Sequence, residues 1–196
     1  ARGLLKMLDD YQLNHLNGFA DELFERTEKA MRSAIAELPD GTYEFGFKTD
    51  GGEEPYFFQI ALTVFGEEIT ADFTGTSPTQ PRAINCVYAY TYAMTAYALK
   101  CALLPDTPNN EGMFRPITVT APEDNLVNTR YPAAVVARSN TGHYVPVLVF
   151  GALQKIIPGK VMAGAGSPLW VFTVTGIDDN GKTFATGGIA FDIAVL

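Results

Sequence analysis

The chain has few of the residue types from which self-contained catalytic centres are built. Its 196 residues include two histidines, two cysteines and one tryptophan. His15 and His143 lie far apart in sequence and neither has a CxxC pair beside it, which excludes a His/Cys metal cluster of the usual spacing. Cys86 and Cys101 would stand roughly 22 Å apart on one helix at 1.5 Å per residue, beyond disulfide reach. Two free, buried thiols fit a reducing cytoplasm. Basic residues are also scarce. Lys and Arg number 14 against 22 Asp and Glu, for a net charge of −8. Without a Lys/Arg cluster, nucleic acid and anionic membrane are excluded as partners. The glycine-bearing stretches Ala163-Gly164-Ala165-Gly166-Ser167-Pro168 and Thr186-Gly187-Gly188 lack the spacing of a nucleotide-binding loop. One apolar run, Ile84 to Leu104, is long enough to span a bilayer. Asn85, Thr91, Thr95, Lys100 and four tyrosines assign it instead to a buried soluble helix. There is no internal repeat and no low-complexity segment.

What is present is a sizeable apolar core arranged in alternating blocks. Leu4 to Leu38 reads as one helix. Leu16, Phe19, Ala20, Leu23, Phe24, Met31, Ala34, Ile35 and Leu38 form its apolar stripe, and Gly18 is a candidate bend. Pro39-Asp40-Gly41 ends it. Thr42–Lys48, Tyr56–Phe65 and Glu68–Phe73 read as three strands on short Gly-bearing links, an antiparallel meander. The apolar helix 84–104 follows, then a Pro/Asn-rich loop from Pro105 to Gly112. Ile117–Thr120 and Ala133–Ala137 read as short strands. His143–Ile157 reads as a second buried helix. Val161–Ala163, Trp170–Gly176 and Thr183–Val195 read as strands, the last two joined by the hairpin signal Asp178-Asp179-Asn180-Gly181. This order predicts an α+β fold, with mixed and antiparallel strands packed around buried helices in a single domain.

Four polar clusters carry candidate chemistry. Asp72-Phe73-Thr74-Gly75-Thr76-Ser77 ends a strand. Asp72, Thr74 and Thr76 suit the polar edge of a ligand, or equally a turn satisfying its own backbone. Asn85, among apolar neighbours, must find hydrogen-bond partners; it either ties the helix start to the Asp72 turn or meets substrate. Pro108-Asn109-Asn110-Glu111-Gly112 reads as a structural loop, because Glu111 has no identifiable partner to make it a base. Arg138-Ser139-Asn140-Thr141-Gly142-His143 is the densest polar cluster and lies between a strand and a helix, where ligand sites concentrate. Arg138 suits a carboxylate and His143 suits proton transfer near neutral pH, with Ser139 and Asn140 as substrate contacts. Ser139 beside His143 lacks an orienting acid for nucleophilic catalysis. The bland alternative is a helix cap on Asn140 or Thr141.

One ordered set of motifs adds to this reading. Asp72-Phe73-Thr74-Gly75-Thr76-Ser77, Ala83-Ile84-Asn85, Pro105-Asp106-Thr107-Pro108-Asn109-Asn110-Glu111-Gly112, Arg115-Pro116-Ile117-Thr118-Val119, Ala121-Pro122, Leu126-Val127-Asn128 and Pro132-Ala133-Ala134-Val135 follow one another. In this order they resemble the hydantoinase B/oxoprolinase family. The likeness runs from about Leu38 to Pro158. The chain departs from it at Glu123-Asp124-Asn125, where members often carry Gly-Ser. It departs again at Thr141-Gly142-His143-Tyr144-Val145-Pro146, where members often carry an Arg-Ile-Xaa-Asp-like run. Family members are several times longer, so the resemblance places residues 1–196 as a central domain of a larger protein. The opening Ala1-Arg2-Gly3 and the closing Ala194-Val195-Leu196 agree with that expectation.

The resemblance implies part of an ATP-dependent cyclic-amide hydrolase of the hydantoinase or 5-oxoprolinase type. This domain would form a cleft wall or a subunit-docking surface and be inactive alone. ATP is expected on a hydantoinase A-like subunit or fused half, and a divalent metal on N-terminal segments absent here. No metal ligand is assigned within the chain. The alternatives are a domain of a ketone carboxylase subunit, with a ketone in place of the cyclic amide, or a purely structural assembly domain.

Overall fold

The computed structural model describes residues 2–13, 15–51, 54–162 and 169–191, with backbone alone for 169–171 and 188–191. The N-terminal helical pattern resolves into two helices, α1 (Arg2–Asp10) and α2 (Asn17–Ala36). The single helix expected from Leu4 to Leu38 is therefore corrected. Gln12 adopts φ 53°. The Leu13 N–H returns to the Leu8 carbonyl at 2.8 Å and the Gln12 N–H to Asp9 at 3.2 Å. This is a Schellman-type stop, with glutamine in the left-handed position glycine usually fills. The stripe of α2 buries Thr27, Met31 and Ile35, while Glu22–Arg26 and Glu28–Arg32 pair four residues apart on its wet face.

Alternation of apolar and polar residues builds the sheet. Strands β1 (Gly41–Thr49), β2 (Tyr56–Phe65) and β3 (Glu68–Asp72) form the expected antiparallel meander, and β4 (Ile117–Thr120) adds parallel to β3. The order is β1-β2-β3-β4. The inward residues Phe58, Ile60, Leu62, Val64, Ile69, Ala71, Ile117 and Val119 are buried. Helix α3 (Tyr88–Leu103) lies in the crossover from β3 to β4, and α5 (Tyr144–Leu153) packs against β1, β2 and α3. A Cβ on Gly151 would stand 2.3 Å from the Phe45 ring, so glycine lets α5 approach β1. Phe47, Phe58 and Tyr144 interlock at ring separations of 5.1–5.5 Å between the same layers. The α+β class with mixed strands around buried helices is observed.

Three boundaries differ from expectation, each for a local reason. Helix α3 starts at Tyr88 rather than Ile84. The Cys86 N–H is spent on Leu126 and its carbonyl on the Thr129 N–H, which holds the residues just before Tyr88 out of the helix and beside 126–129. The helix expected over His143–Ile157 is observed as α5, ending four residues early at Leu153, and a separate single turn, α4 (Ser139–Gly142), precedes it. Pro146 has no N–H to return to Gly142, which interrupts the ladder there. The strand expected at Ala133–Ala137 is bend, coil and turn: among the described residues no strand pairs with it, and the Ala133 and Ala137 N–H groups go to the Arg130 and Ala83 carbonyls. Val161 and Met162 are not strand, and Ala163 lies outside the described residues. Strands β5 (Leu169–Ile177) and β6 (Thr183–Phe191) pair antiparallel through the expected turn, in which Gly181 takes φ 78°. Residues 192–196 of the expected last strand lie outside the described residues. Among the described residues no helix is long and apolar enough to cross a membrane.

Candidate functional site

The sequence-nominated residues fall into two groups, each held by its own part of the fold. The first is the turn after β3. Asp72 Oδ1 accepts from the Thr74 N–H at 3.0 Å and the Thr74 hydroxyl at 2.8 Å. The Thr76 hydroxyl accepts from the Gln59 N–H and donates to the Gln59 carbonyl, both at 3.1 Å. It thus stands in for the backbone of a missing strand beside β2. Ser77 does the same for the Phe57 N–H at 2.8 Å. Asn125 reaches in from the next segment and donates to the carbonyls of Phe73 and Thr76. Its position, within the Glu123-Asp124-Asn125 departure from the family pattern, is 4% exposed. The signal that could have found it is an amide next to the apolar pair Leu126-Val127, which has to be satisfied if buried.

The second group surrounds the segment leading into α3. Asn85 is fully buried. Its Oδ1 accepts from the Gln80 N–H at 2.7 Å, and its Nδ2 faces the carbonyls of Gln80, Arg82 and Ala134 at 2.8–2.9 Å. Asn85 therefore ties the helix entry to the 80–82 and 134 loops, not to the Asp72 turn. The Ala137 N–H donates to Ala83, and the Cys86 thiol donates to the Arg138 carbonyl at 3.1 Å. These bonds place the Arg138–His143 cluster against the α3 entry. Burial pushes the Cys86 thiol up to about 12, which keeps it protonated and unreactive. Gly142 allows the contact with α3, since a Cβ there would fall 1.9 Å from the Tyr90 ring.

Within this cluster Arg138 is exposed, with one long bond from its guanidinium to Val135 at 3.5 Å. Ser139 and Asn140 are half-buried. His143 Nδ1 lies 2.9 Å from the Ser139 carbonyl. A carbonyl only accepts, so Nδ1 carries the proton and Nε2 holds the lone pair of the neutral ring. Nε2 is buried with no hydrogen-bond partner. The ring sits 3.9 Å from that of Tyr144. Burial lowers its pKa, opposed by the bond to Ser139. The result is a neutral imidazole with an oriented and unmatched basic nitrogen.

Neither a divalent metal nor ATP, the two groups implied by the family resemblance, fits the described residues. No cluster of three His, Cys, Asp or Glu side chains is placed to hold a metal among them. No Gly-rich loop precedes α2, α3 or α5 to cradle a phosphate chain. A concave region of about 310 Å³ lies on the wet face of α2, lined by Glu25, Glu28, Lys29, Arg32, Ser33 and Glu67. It contains none of the nominated residues, and Arg32 is already paired with Glu28 and Glu68.

Known proteins resemble this chain in sequence and in fold. The family model described as hydantoinase B/oxoprolinase matches residues 1–191. A protein of Pseudomonas sp. (strain NS671), provisionally named as the B component of a D-/L-hydantoinase, is 33% identical over 181 residues, covering 85% of this chain and 31% of its own. The crystal structure of the ATP-dependent caprolactamase from Pseudomonas jessenii superposes with TM-score 0.73 at 24% identity, covering 94% of this chain and 32% of that one. Nucleotide-free acetone carboxylase gives TM-score 0.64 at 15% identity, covering 82% and 24%. Both structural likenesses speak to the fold alone. The chain spans about a third of the length of the hydantoinase relative.

Proposed function

Because this chain belongs to the hydantoinase B/oxoprolinase family, we propose that it is the central domain of an ATP-dependent enzyme that opens cyclic amides. The family match over 191 positions carries this reading. The substrate class is supported by the family's description and the relative's name, since hydantoinase and oxoprolinase both refer to ring amides. The hydantoinase relative is named as one component of a multi-subunit enzyme, which supports a second, A-type subunit or fused half as partner. ATP and a divalent metal are assigned to that partner and to other segments, because the described residues do not fit them.

The role of this domain is to supply one wall of the substrate cleft at the Arg138–His143 cluster. Ser139 fixes the tautomer of His143, so that the buried Nε2 is the acceptor for a proton or a hydrogen bond when the loop admits the reacting amide or water. The exposed Arg138 guanidinium holds a carboxylate of substrate or product. Ser139 and Asn140 line the same loop and contact the ring's polar edge. The hydrogen bonds of Thr76 and Asn85 are consumed inside the fold, which supports a positioning role for them and for the Asp72–Thr74 turn. It also supports the inactivity of this domain alone.

Alanine variants at Arg138 and His143 in the full-length protein, assayed with its A-type partner, test the assignment. His143→Ala should cut turnover on a cyclic amide about 100-fold or more. Arg138→Ala should raise KM with the thermal midpoint unchanged. Loss of about 1 kcal/mol of stability with turnover per folded molecule intact would instead make the cluster a helix cap.

A further inference from the structure

We infer that α1 and the first turns of α2 form a docking face for another part of the same, longer polypeptide. Helix α1 places Leu4 and Leu8 on one side with Tyr11 just beyond it, at i, i+4 and i+7, and Leu5 alongside. None of its residues is buried. Leu5 is 60% exposed and Tyr11 73%. The exposure continues into α2. Phe19 is 61% exposed and Leu23 39%, whereas Thr27, Met31 and Ile35 further along the same helix are buried. The core therefore ends at the second turn of α2, although the apolar pattern runs on past it. A nine-residue helix is marginal on its own in water, and an apolar stripe is stable only against something.

Three occupants compete for this face, and the observations favour one. A membrane surface selects a helix whose polar side is rich in Lys and Arg. Here Arg2 and Lys6 are outnumbered by Asp9, Asp10, Asp21 and Glu22, so the face has no basic side. That small acidic excess also gives little field to steer a separate soluble partner. Leu4, Leu5, Tyr11, Phe19 and Leu23, exposed together, resemble a core cut in two, the mark of a permanent interface rather than a passing one. The hydantoinase relative and the caprolactamase have roughly two thirds of their length outside the part that this chain matches. That polypeptide is the permanent neighbour available in every copy of the protein. The inference is independent of which reaction the parent catalyses.

Hydrogen exchange on the full-length parent tests it, first alone at two protein concentrations and then with the A-type partner. In the parent alone, amides of residues 2–13 should exchange at least roughly 100-fold slower than an unstructured peptide, at both concentrations. Leu5→Glu should abolish that protection and lower the thermal midpoint, whereas Lys6→Glu, on the wet side, should do neither. Should Leu5→Glu fail to fold, Leu5→Ala should show partial loss of protection at the same amides. Three results overturn the inference: no protection in the parent, protection that appears only at the higher concentration (a second copy), or protection that appears only with the A-type partner.

Discussion

Replacing Asn85 by alanine is the sharpest probe of how the α3 entry is held. The side chain accepts one hydrogen bond and faces three carbonyls. Its two amide protons saturate two of these and share the third, so three full bonds are at stake. Each is worth about 1 kcal/mol net, and stranding a buried partner adds about 1–3 kcal/mol. Alanine lets water reach some of the stranded groups, so a loss of about 3 kcal/mol is the expected total. For a domain of this length that corresponds to a fall in Tm of roughly 6–12 °C. Asn85→Asp should be worse at neutral pH, because a carboxylate facing three carbonyls has no proton to donate. Its folded pKa should therefore be raised, and the variant should regain stability as pH falls through that value. The assay is thermal unfolding of the parent at pH 7 and pH 5. A shift below about 2 °C for Asn85→Ala would refute the account of Asn85 as the tie between the 80–82 loop, Ala134 and α3.

Other consequences can be checked with similar means. Thr76→Val removes the hydroxyl that both accepts from and donates to Gln59. It should cost about 1–2 kcal/mol in urea unfolding, whereas Thr76→Ser should cost well under half of that. The His143 pKa is lowered by burial, so its neutral form stabilises the folded state. That contribution is complete above the unfolded value near 6.5 and is lost as pH falls below it toward the lower folded pKa. His143→Gln should flatten the acid side of a Tm–pH profile between pH 7 and 5, and an unchanged slope would count against this burial. The native protein should show Cys101 reacting with iodoacetamide at pH 8 while Cys86, its thiol pushed to about 12, reacts only on unfolding; this is read by mass mapping.

Elements whose backbone bonds are local were legible in the sequence. The β1–β3 meander and the β5–β6 hairpin follow from period-two alternation and turn residues, and within the described residues their bounds lie within a residue of expectation. Strand β4 was legible from its alternation alone, its partner β3 being distant in sequence. The boundaries that moved were set by groups distant in sequence. Nothing in Ile84–Val87 shows that Leu126 and Thr129 take the Cys86 backbone, and nothing in Pro132–Ala137 shows that no strand lies alongside. Gln12 hid the break between α1 and α2, because glutamine is rarely chosen for a left-handed stop. The candidate site was legible as a list of polar loops but not as an arrangement. The sequence could not separate Asp72, Thr74 and Thr76, spent on their own turn and on Gln59, from His143, whose Nε2 is left without a partner. Asn125 was passed over because its role depends on the carbonyls of Phe73 and Thr76, some 50 residues earlier.

The most direct test of the cyclic-amide reading is phosphate release by the full-length parent with its A-type partner. Hydantoins, 5-oxoproline, a simple lactam and simple ketones would be compared with and without bicarbonate. Phosphate released with a cyclic amide and no bicarbonate is the predicted result. Release with a ketone and bicarbonate, and with no cyclic amide, would contradict it and place the parent among carboxylases.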